Sequence, residues 1–242
     1  MVFYMTSPLN LNIRRANDRG HGNHGWLDSW HTFSFADYYD PAHMGFRSLR
    51  VINDDRIAPM GGFPTHPHRD MEIFSYVLAG SLAHEDSMGN SRILKPGEIQ
   101  MMRAGTGVRH SEYNPSSKEP AHLLQIWIMP DTRGLPPAYS EWIPEAGKEN
   151  DPKTLVISSD GREGSATISQ DASIYLLKPA AGSSVQHELL PDRGLWLHIA
   201  KGVVTVNDIQ LLAGDAVSLE EAAVLTITAD QENTEAILFD LK

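Results

Sequence analysis

The chain has no cysteine among its 242 residues. This absence excludes disulfide bonds, thiolate metal sites, iron–sulfur clusters and a cysteine nucleophile, so any metal must be held by nitrogen and oxygen ligands. Long apolar runs are also missing, because no stretch approaches the roughly 18 apolar residues of a membrane span. Residues 1–8 show neither the basic region nor the apolar region of a secretory signal. We therefore expect a soluble, cytoplasmic protein that does not associate with a membrane.

Basic residues are scarce: 20 Lys and Arg stand against 31 Asp and Glu, a formal net charge of −11. Binding to a phosphate backbone needs clustered basic side chains, so we expect no direct contact with nucleic acid. The charge is also uneven. Residues 1–144 contain 15 acidic and 13 basic residues, whereas residues 145–242 contain 16 and 7. This shift indicates a change of domain near its position.

Sustained helical periodicity is rare, whereas short apolar runs separated by some of the 19 glycines and 15 prolines are frequent. Such runs predict β-strands, and their spacing is typical of an antiparallel β-barrel or sandwich. The sequence therefore predicts an all-β fold. The predicted strands are 51–53, 72–78, 98–102, 123–129, 154–158, 173–177, 195–199, 203–206, 224–228 and 236–241.

The segment 129–151 contains four prolines together with Gly134 and Gly147, and the charge shift falls within it. It predicts an N-terminal domain over 1–135, a linker over 136–149 and a C-terminal domain over 150–242. A weak internal similarity relates Leu-Lys-Pro-Gly-Glu at 94–98 to Leu-Leu-Ala-Gly-Asp at 211–215. Two related β domains would explain this similarity.

Two short motifs carry the chemistry: His-x-His at His66 and His68, and His-x-Glu at His110 and Glu112. Residues i and i+2 of a strand point to the same face, so two such neighbouring strands would direct all four side chains to one point. Three imidazoles and one carboxylate suit Fe(II), Mn, Ni, Cu or Zn and leave positions open for a substrate. The motifs therefore predict a metal site in the first domain.

Two other carboxylates compete with Glu112 for that site. In a regular strand, Asp70 and Glu72 share the face of His66 and His68. Their alternative interpretations are an exposed turn residue for Asp70 and a group hydrogen-bonded beside the metal ligands for Glu72. From the residues alone, all three carboxylates remain candidates.

Residues 26–39 are rich in aromatic side chains. They could wall a pocket for a flat aromatic substrate, but we expect most of them to pack the barrel core. We interpret His31 and His122 as hydrogen-bonded or surface histidines. His187 and His198 stand alone in the second half, and we expect them to be structural or exposed.

Several of these motifs resemble the cupin superfamily and, within it, the pirin family. The resemblance extends over about residues 12–130, in the order expected for that family. The matching stretches are His24 to Phe35, Gly62 to Glu72, His84-Glu85-Asp86-Ser87, Pro96-Gly97-Glu98, Ala104 to Glu112 and Gln125-Ile126-Trp127.

The resemblance implies a bicupin, that is, two antiparallel jelly-roll barrels with one metal in the first. Transferred to this sequence, the implied ligands are His66, His68, His110 and Glu112. The metal of the family is usually iron, so the resemblance implies Fe2+, while Zn, Mn, Ni and Cu suit the same ligands. The second half has no His-x-His or His-x-Glu motif, so we expect no metal there.

The resemblance also implies an oxidoreductase of the quercetin 2,3-dioxygenase type, which cleaves flavonols with O2 and releases carbon monoxide. Glu112 would then be both a metal ligand and the catalytic base. The alternative is a metal-bearing regulatory protein that binds a protein partner and has no physiological catalysis. A sugar isomerase is a third, weaker interpretation. The sequence lacks the cluster of basic residues near the ligands that would bind a sugar phosphate, although Arg69 and Arg109 keep this interpretation open.

Overall fold

The computed structural model describes residues 9–242, so the residues judged for a secretory signal, 1–8, lie outside the described part. The described chain forms 22 β-strands and two single-turn 3-10 helices, Ala16–Asp18 and Arg162–Gly164. The all-β prediction is therefore confirmed. None of the helices within residues 9–242 is long and apolar enough to cross a membrane.

Twelve strands precede residue 143. They are β1 (Asn12–Arg14), β2 (Gly20–Asn23), β3 (Leu27–His31), β4 (Leu49–Ile57), β5 (Gly62–His68), β6 (Glu72–Ala79), β7 (Leu82–Asp86), β8 (Ser91–Leu94), β9 (Ile99–Arg103), β10 (Val108–Tyr113), β11 (Ala121–Ile128) and β12 (Ala138–Trp142). Ten strands follow. They are β13 (Lys153–Ser158), β14 (Ala166–Thr167), β15 (Ala172–Leu177), β16 (Ser184–Leu189), β17 (Gly194–Lys201), β18 (Val203–Val206), β19 (Ile209–Leu212), β20 (Ala216–Leu219), β21 (Ala223–Ala229) and β22 (Glu235–Leu241).

The strands form two barrels of the same design, each with one seven-stranded and one four-stranded sheet. In the first barrel the orders are β12-β9-β6-β11-β4-β3-β2 and β5-β10-β7-β8. In the second they are β1-β20-β17-β22-β15-β13-β14 and β16-β21-β18-β19. Among the described strands only β13 and β14 pair in parallel. The prediction of two antiparallel barrels is confirmed.

The two barrels pack against each other through their seven-stranded sheets. Strand β6 is buried over nearly its whole length because one face lines its own barrel and the other faces the second domain. Phe74 lies beside Phe239 with 6.4 Å between ring centroids, and Tyr76 donates a 2.7 Å hydrogen bond to Glu235. Burial on both faces explains why the sequence of this strand is mostly apolar instead of alternating between apolar and polar residues.

The structure departs from the predicted domain bounds in two places. Strand β12 lies within the predicted linker, yet it pairs with β9 and buries Trp142 in the core between the barrels. Strand β1, assigned to the first domain, pairs with β20 of the second, and Asp215 binds the Arg15 side chain and the Ala16 amide at 2.7 Å each. Proline content and charge indicate where a chain turns, but they do not indicate which sheet edge a short strand joins.

His198 on β17 is structural: it is 1% exposed, and neither ring nitrogen has a hydrogen-bond partner within the described chain. Burial, helped by the charge of Arg19, lowers its pKa to about 3. The unfolded chain protonates this ring near pH 6.5, so stability is lost as the pH falls from 6.5 towards 3. We expect this one residue to remove about 2 kcal/mol of the unfolding free energy between pH 7.5 and pH 5.

Denaturant unfolding at both pH values measures this loss. The His198→Leu variant should lose less stability than the unmodified protein over the same pH interval, because it lacks the ring whose protonation is suppressed. Equal losses in the two proteins would contradict the assignment.

Candidate metal centre

The two ligand motifs lie on neighbouring strands. β5 pairs with β10 so that His66 is opposite His110, and a β-bulge then places Glu112 opposite Phe63. β5 is the edge strand of its sheet, which accommodates Pro67 because an edge strand tolerates a missing amide donor. The strand arrangement expected from the i, i+2 spacing is therefore present.

The turn that leads into β10 requires glycine at one position. Gly105 has a φ of +48°, and a Cβ atom there would lie 2.0 Å from the carbonyl oxygen of Leu135. Any larger side chain would push the Leu135 segment away from this turn. The glycine-rich approach to His110 thus serves close backbone packing.

The three histidines form a compact cluster in which their candidate ligand nitrogens lie within 4.8 Å of one another. His66 Nδ1 donates to the Pro64 carbonyl at 2.9 Å, which leaves the lone pair of neutral His66 on Nε2. His110 Nε2 lies 3.0 Å from that atom. This separation suits two neighbouring ligands of one metal ion, each bound at about 2.1 Å.

Burial keeps two of these rings uncharged at neutral pH. Burial, together with neighbouring His110 and His66, lowers the pKa of His68 to about 4. Burial likewise lowers the pKa of His110 to about 3, helped by His66 and His84. Neutral imidazoles can offer their lone pairs to a cation, so the donor chemistry of the cluster fits a divalent transition metal.

Glu112 is 2% exposed, and both of its carboxylate oxygens are hydrogen-bonded. Ser75 Oγ donates to Oε1 at 3.0 Å, and Gln125 Nε2 donates to Oε2 at 2.7 Å. A second group of candidate ligand atoms within 4.8 Å of one another consists of Glu112, His110 and His84. The four predicted ligands therefore fall into two overlapping groups that share His110, and the second brings in His84, which sequence reasoning did not single out as a ligand.

The structure removes the two competing carboxylates from this cluster. Glu72 is 0% exposed and accepts backbone amides of the second domain, Ser169 at 2.8 Å and Gln170 at 3.2 Å. Asp70 has a φ of +50° in the turn after β5 and accepts the Gly134 amide at 2.7 Å. The expectation that Glu72 neighbours the ligands is wrong, because the chain changes sheets between β5 and β6 and strand parity does not continue across that turn.

A row of polar side chains crosses the inner face of the larger sheet behind the cluster. In cross-strand register, His31 pairs with Asn53, Asn53 with Gln125, Gln125 with Ser75, and Ser75 with Gln100. Its members hydrogen-bond each other or the site: His31 Nδ1 lies 2.9 Å from Asn53 Oδ1, and Gln100 Nε2 lies 3.0 Å from His84 Nδ1. Ser75, Gln100 and Gln125 each interrupt an apolar run in the sequence, and this was the available signal.

The corresponding row in the second barrel is almost entirely apolar. Tyr175, Leu238, Leu197 and Val217 pair across β15, β22, β17 and β20. Leucine and valine side chains can neither bind a metal nor orient a ligand for one. Among residues 9–242, both groups of three candidate ligand residues lie in the first barrel.

A cavity of about 550 Å³ opens onto this cluster. Its walls include aromatic rings from several strands and loops, namely Trp26, Phe35, Phe63 and Trp127. The aromatic segment 26–39 is thus divided: Trp26 and Phe35 line the cavity, Phe33 packs in the core between the barrels, and Tyr39 is 73% exposed. The expectation that most of this segment packs the barrel core is wrong.

His31 and His122 lie on opposite sides of the larger sheet. His31 faces the cavity and His122 contacts Asp54 at 2.7 Å on the outer side. Both are hydrogen-bonded, as expected.

Two antiparallel barrels joined through their larger sheets, with a His and Glu cluster inside the first, define a two-domain cupin protein. A family model described as Pirin matches residues 12–128, and one described as Quercetinase C-terminal cupin domain matches residues 155–241. The chain belongs to the pirin family.

Curated relatives and solved structures extend over nearly the whole chain. A protein named quercetin 2,3-dioxygenase from Escherichia coli is 49% identical over 229 residues, covering 95% of this chain and 97% of that protein. A pirin-like protein from Caulobacter vibrioides is 41% identical, and the match covers 91% of this chain and 95% of that protein. The crystal structure of the bacterial pirin YhhW from Escherichia coli in complex with nickel(II) has a TM-score of 0.88 at 47% identity, covering 96% and 98%.

Proposed function

We propose that the protein is a metal-dependent dioxygenase that cleaves flavonols such as quercetin with O2 and releases carbon monoxide. The observation that carries this proposal is the aromatic cavity that opens directly onto the His and Glu cluster. A volume of about 550 Å³ lies within the roughly 300–1,000 Å³ of small-molecule sites. The relative from Escherichia coli that bears the name quercetin 2,3-dioxygenase supports the same substrate class.

We infer that His66, His68, His110 and Glu112 hold one divalent metal. Fe2+ is the ion implied by the pirin resemblance, and nickel is the ion bound in the related structure. When bound, such a metal supplies Lewis-acid and redox chemistry at the cavity wall. The compact imidazole cluster, the uncharged rings and the 3.0 Å separation between His66 and His110 support the inference.

Glu112 is the base in this proposal, and it receives the proton of the flavonol 3-hydroxyl. Its Oε1 accepts a hydrogen bond from Ser75, whose hydroxyl also lies 3.2 Å from Gln125 Oε1. Rotation of the Ser75 hydroxyl towards Gln125 frees Oε1 to take up a proton. Gln125 Nε2 meanwhile holds Oε2 at 2.7 Å, so the carboxylate keeps its orientation during the transfer.

The proposal is tested with protein of known metal content. Metal per chain is measured by elemental analysis, and metal-free protein is then reloaded anaerobically with Fe2+ or with Ni2+. Quercetin loss is followed by absorbance with and without O2, and carbon monoxide is collected. We expect loss of quercetin only when both metal and O2 are present, with one carbon monoxide released for each quercetin consumed.

Metal-free protein and anaerobic samples are the controls. A metal-loaded sample that consumes no quercetin in air would overturn the dioxygenase proposal. That result would favour the alternative, in which the metal sets the conformation of a surface that binds a protein partner.

A further inference from the structure

The cavity has a second polar feature, formed by Ser29 on β3 and Asp55 on β4. The two residues are directly opposite each other in the register of these strands, and both line the cavity. Ser29 Oγ donates to Asp55 Oδ1 at 2.5 Å. Asp55 Oδ2 has no hydrogen-bond partner among the described residues.

Asp55 is a buried acid without a counter-charge. It is 2% exposed, and within residues 9–242 it makes no salt bridge. Its neighbour Asp54 points to the other face of the sheet, where it has two cationic partners, Arg19 and Arg56, and also contacts His122. Asp54 is therefore paired with cations, whereas the adjacent Asp55, which faces the cavity, has no cationic partner among the described residues.

The environment of Asp55 brings its titration close to neutral pH. Burial, together with the charges of Asp54, Glu112 and Asp28, raises its pKa to about 7 against the opposing hydrogen bond from Ser29. A buried carboxyl with no cation costs stability, and such a group facing a cavity points to a role in binding. Whether protonated or not, its free oxygen can pair with a hydroxyl group.

Polar groups reach the cavity from both sheets of the first barrel. The His cluster and Glu112 belong to the four-stranded sheet, whereas Ser29 and Asp55 belong to the seven-stranded sheet that faces it. The lining also includes Trp26 and Phe63, in edge-to-face contact at 5.0 Å. Aromatic walls with polar groups on both sheets suit a flat aromatic ligand that carries more than one polar group.

We propose that Asp55, held in place by Ser29, forms a subsite that hydrogen-bonds a phenolic hydroxyl other than the one that approaches the metal ligands. The subsite rests on the proposed function and narrows it to flavonols that carry ring hydroxyls beyond the 3-hydroxyl. Asp55 is a specificity-determining residue in this assignment. Metal binding does not depend on it.

The test compares two ligands in the metal-loaded protein under anaerobic conditions, where no turnover occurs. Quercetin and 3-hydroxyflavone share the 3-hydroxyl and the 4-carbonyl, but 3-hydroxyflavone lacks the other hydroxyls. Binding is measured by quenching of the fluorescence of Trp26 and Trp127, which line the cavity. We expect the unmodified protein to bind quercetin at least about tenfold more tightly than 3-hydroxyflavone, as one hydrogen bond to an ionisable group would provide.

The Asp55→Asn variant should bind quercetin about tenfold more weakly and 3-hydroxyflavone with unchanged affinity, at unchanged metal content. The matched control is Asp28→Asn. Asp28 precedes Ser29 on β3, and its carboxylate contacts His21 at the surface. We expect this variant to change neither affinity. Asp55→Ser serves as a second variant if the asparagine variant does not fold.

Three results would overturn the subsite: equal affinity of the unmodified protein for both ligands, unchanged quercetin affinity in Asp55→Asn, or equal weakening of both ligands. The first of these needs no variant. Quercetin turnover in air by the same metal-loaded protein would then show that the proposed function stands while the subsite fails. Absence of turnover would refute the proposed function itself.

Discussion

Replacing His110 by alanine is expected to abolish metal binding and to lower the turnover of quercetin by more than about a hundredfold. Loss of a residue that merely orients a ligand costs about 10- to 100-fold in metal affinity, so loss of a ligand should cost more. His110 belongs to both groups of candidate ligand atoms, which makes it the most sensitive position in either arrangement. Elemental analysis and the quercetin assay measure the two effects on the same sample.

Two further variants decide between the overlapping groups. His66→Ala should lose the metal, whereas His84→Ala should retain it, if the ligands are His66, His68, His110 and Glu112. The reverse result would assign the metal to the group that contains His84. His21→Ala is the matched control, because this histidine is exposed and lies outside the cavity lining. Full metal content and turnover in His110→Ala would contradict the site altogether.

Replacing Glu72 by alanine is expected to lower the free energy of unfolding by about 3 kcal/mol, because two amides of the second domain lose their buried acceptor. The metal content should not change, since the Glu72 carboxylate binds the second domain rather than the His cluster. Denaturant unfolding and elemental analysis provide the two readouts.

Glu72→Gln is the matched control for this prediction. It keeps one carbonyl oxygen as an acceptor, so its loss of stability should be smaller than that of the alanine variant. A fall in metal content with little loss of stability would show instead that Glu72 is a metal ligand, as its spacing from His66 and His68 allowed.

Much of the site's chemistry was predictable from local spacing. A strand alternates its side chains regardless of its surroundings, so His66 with His68, and His110 with Glu112, had to share a face within each strand. The all-β class was also predictable from local sequence, because short apolar runs separated by glycine and proline are typical of β-strands. The strands that carry the ligands, β5 and β10, are not among those predicted from apolar runs, because both are partly polar.

The cavity and its polar lining were less accessible to sequence reasoning. Asn53, Ser75, Gln100 and Gln125 lie in four strands that are far apart in sequence, and only their register aligns them. Asp54 and Asp55 are adjacent and identical as residues, yet one is paired with cations and the other faces the cavity. Which face is the interior depends on the position of the sheet in the barrel.

The sequence by itself determined the available ligands: imidazole and carboxylate without thiolate, concentrated in one of two domains. Only the tertiary structure decided which carboxylate lies in the cluster, because the alternation that defines a face ends where β5 stops and the chain crosses to another sheet. Because of the same crossing, the Glu72 side chain points to the second domain, where it accepts two backbone amides. Glu112 reaches His110 and His84 because β10 lies between β5 and β7, a neighbourhood that no local pattern specifies.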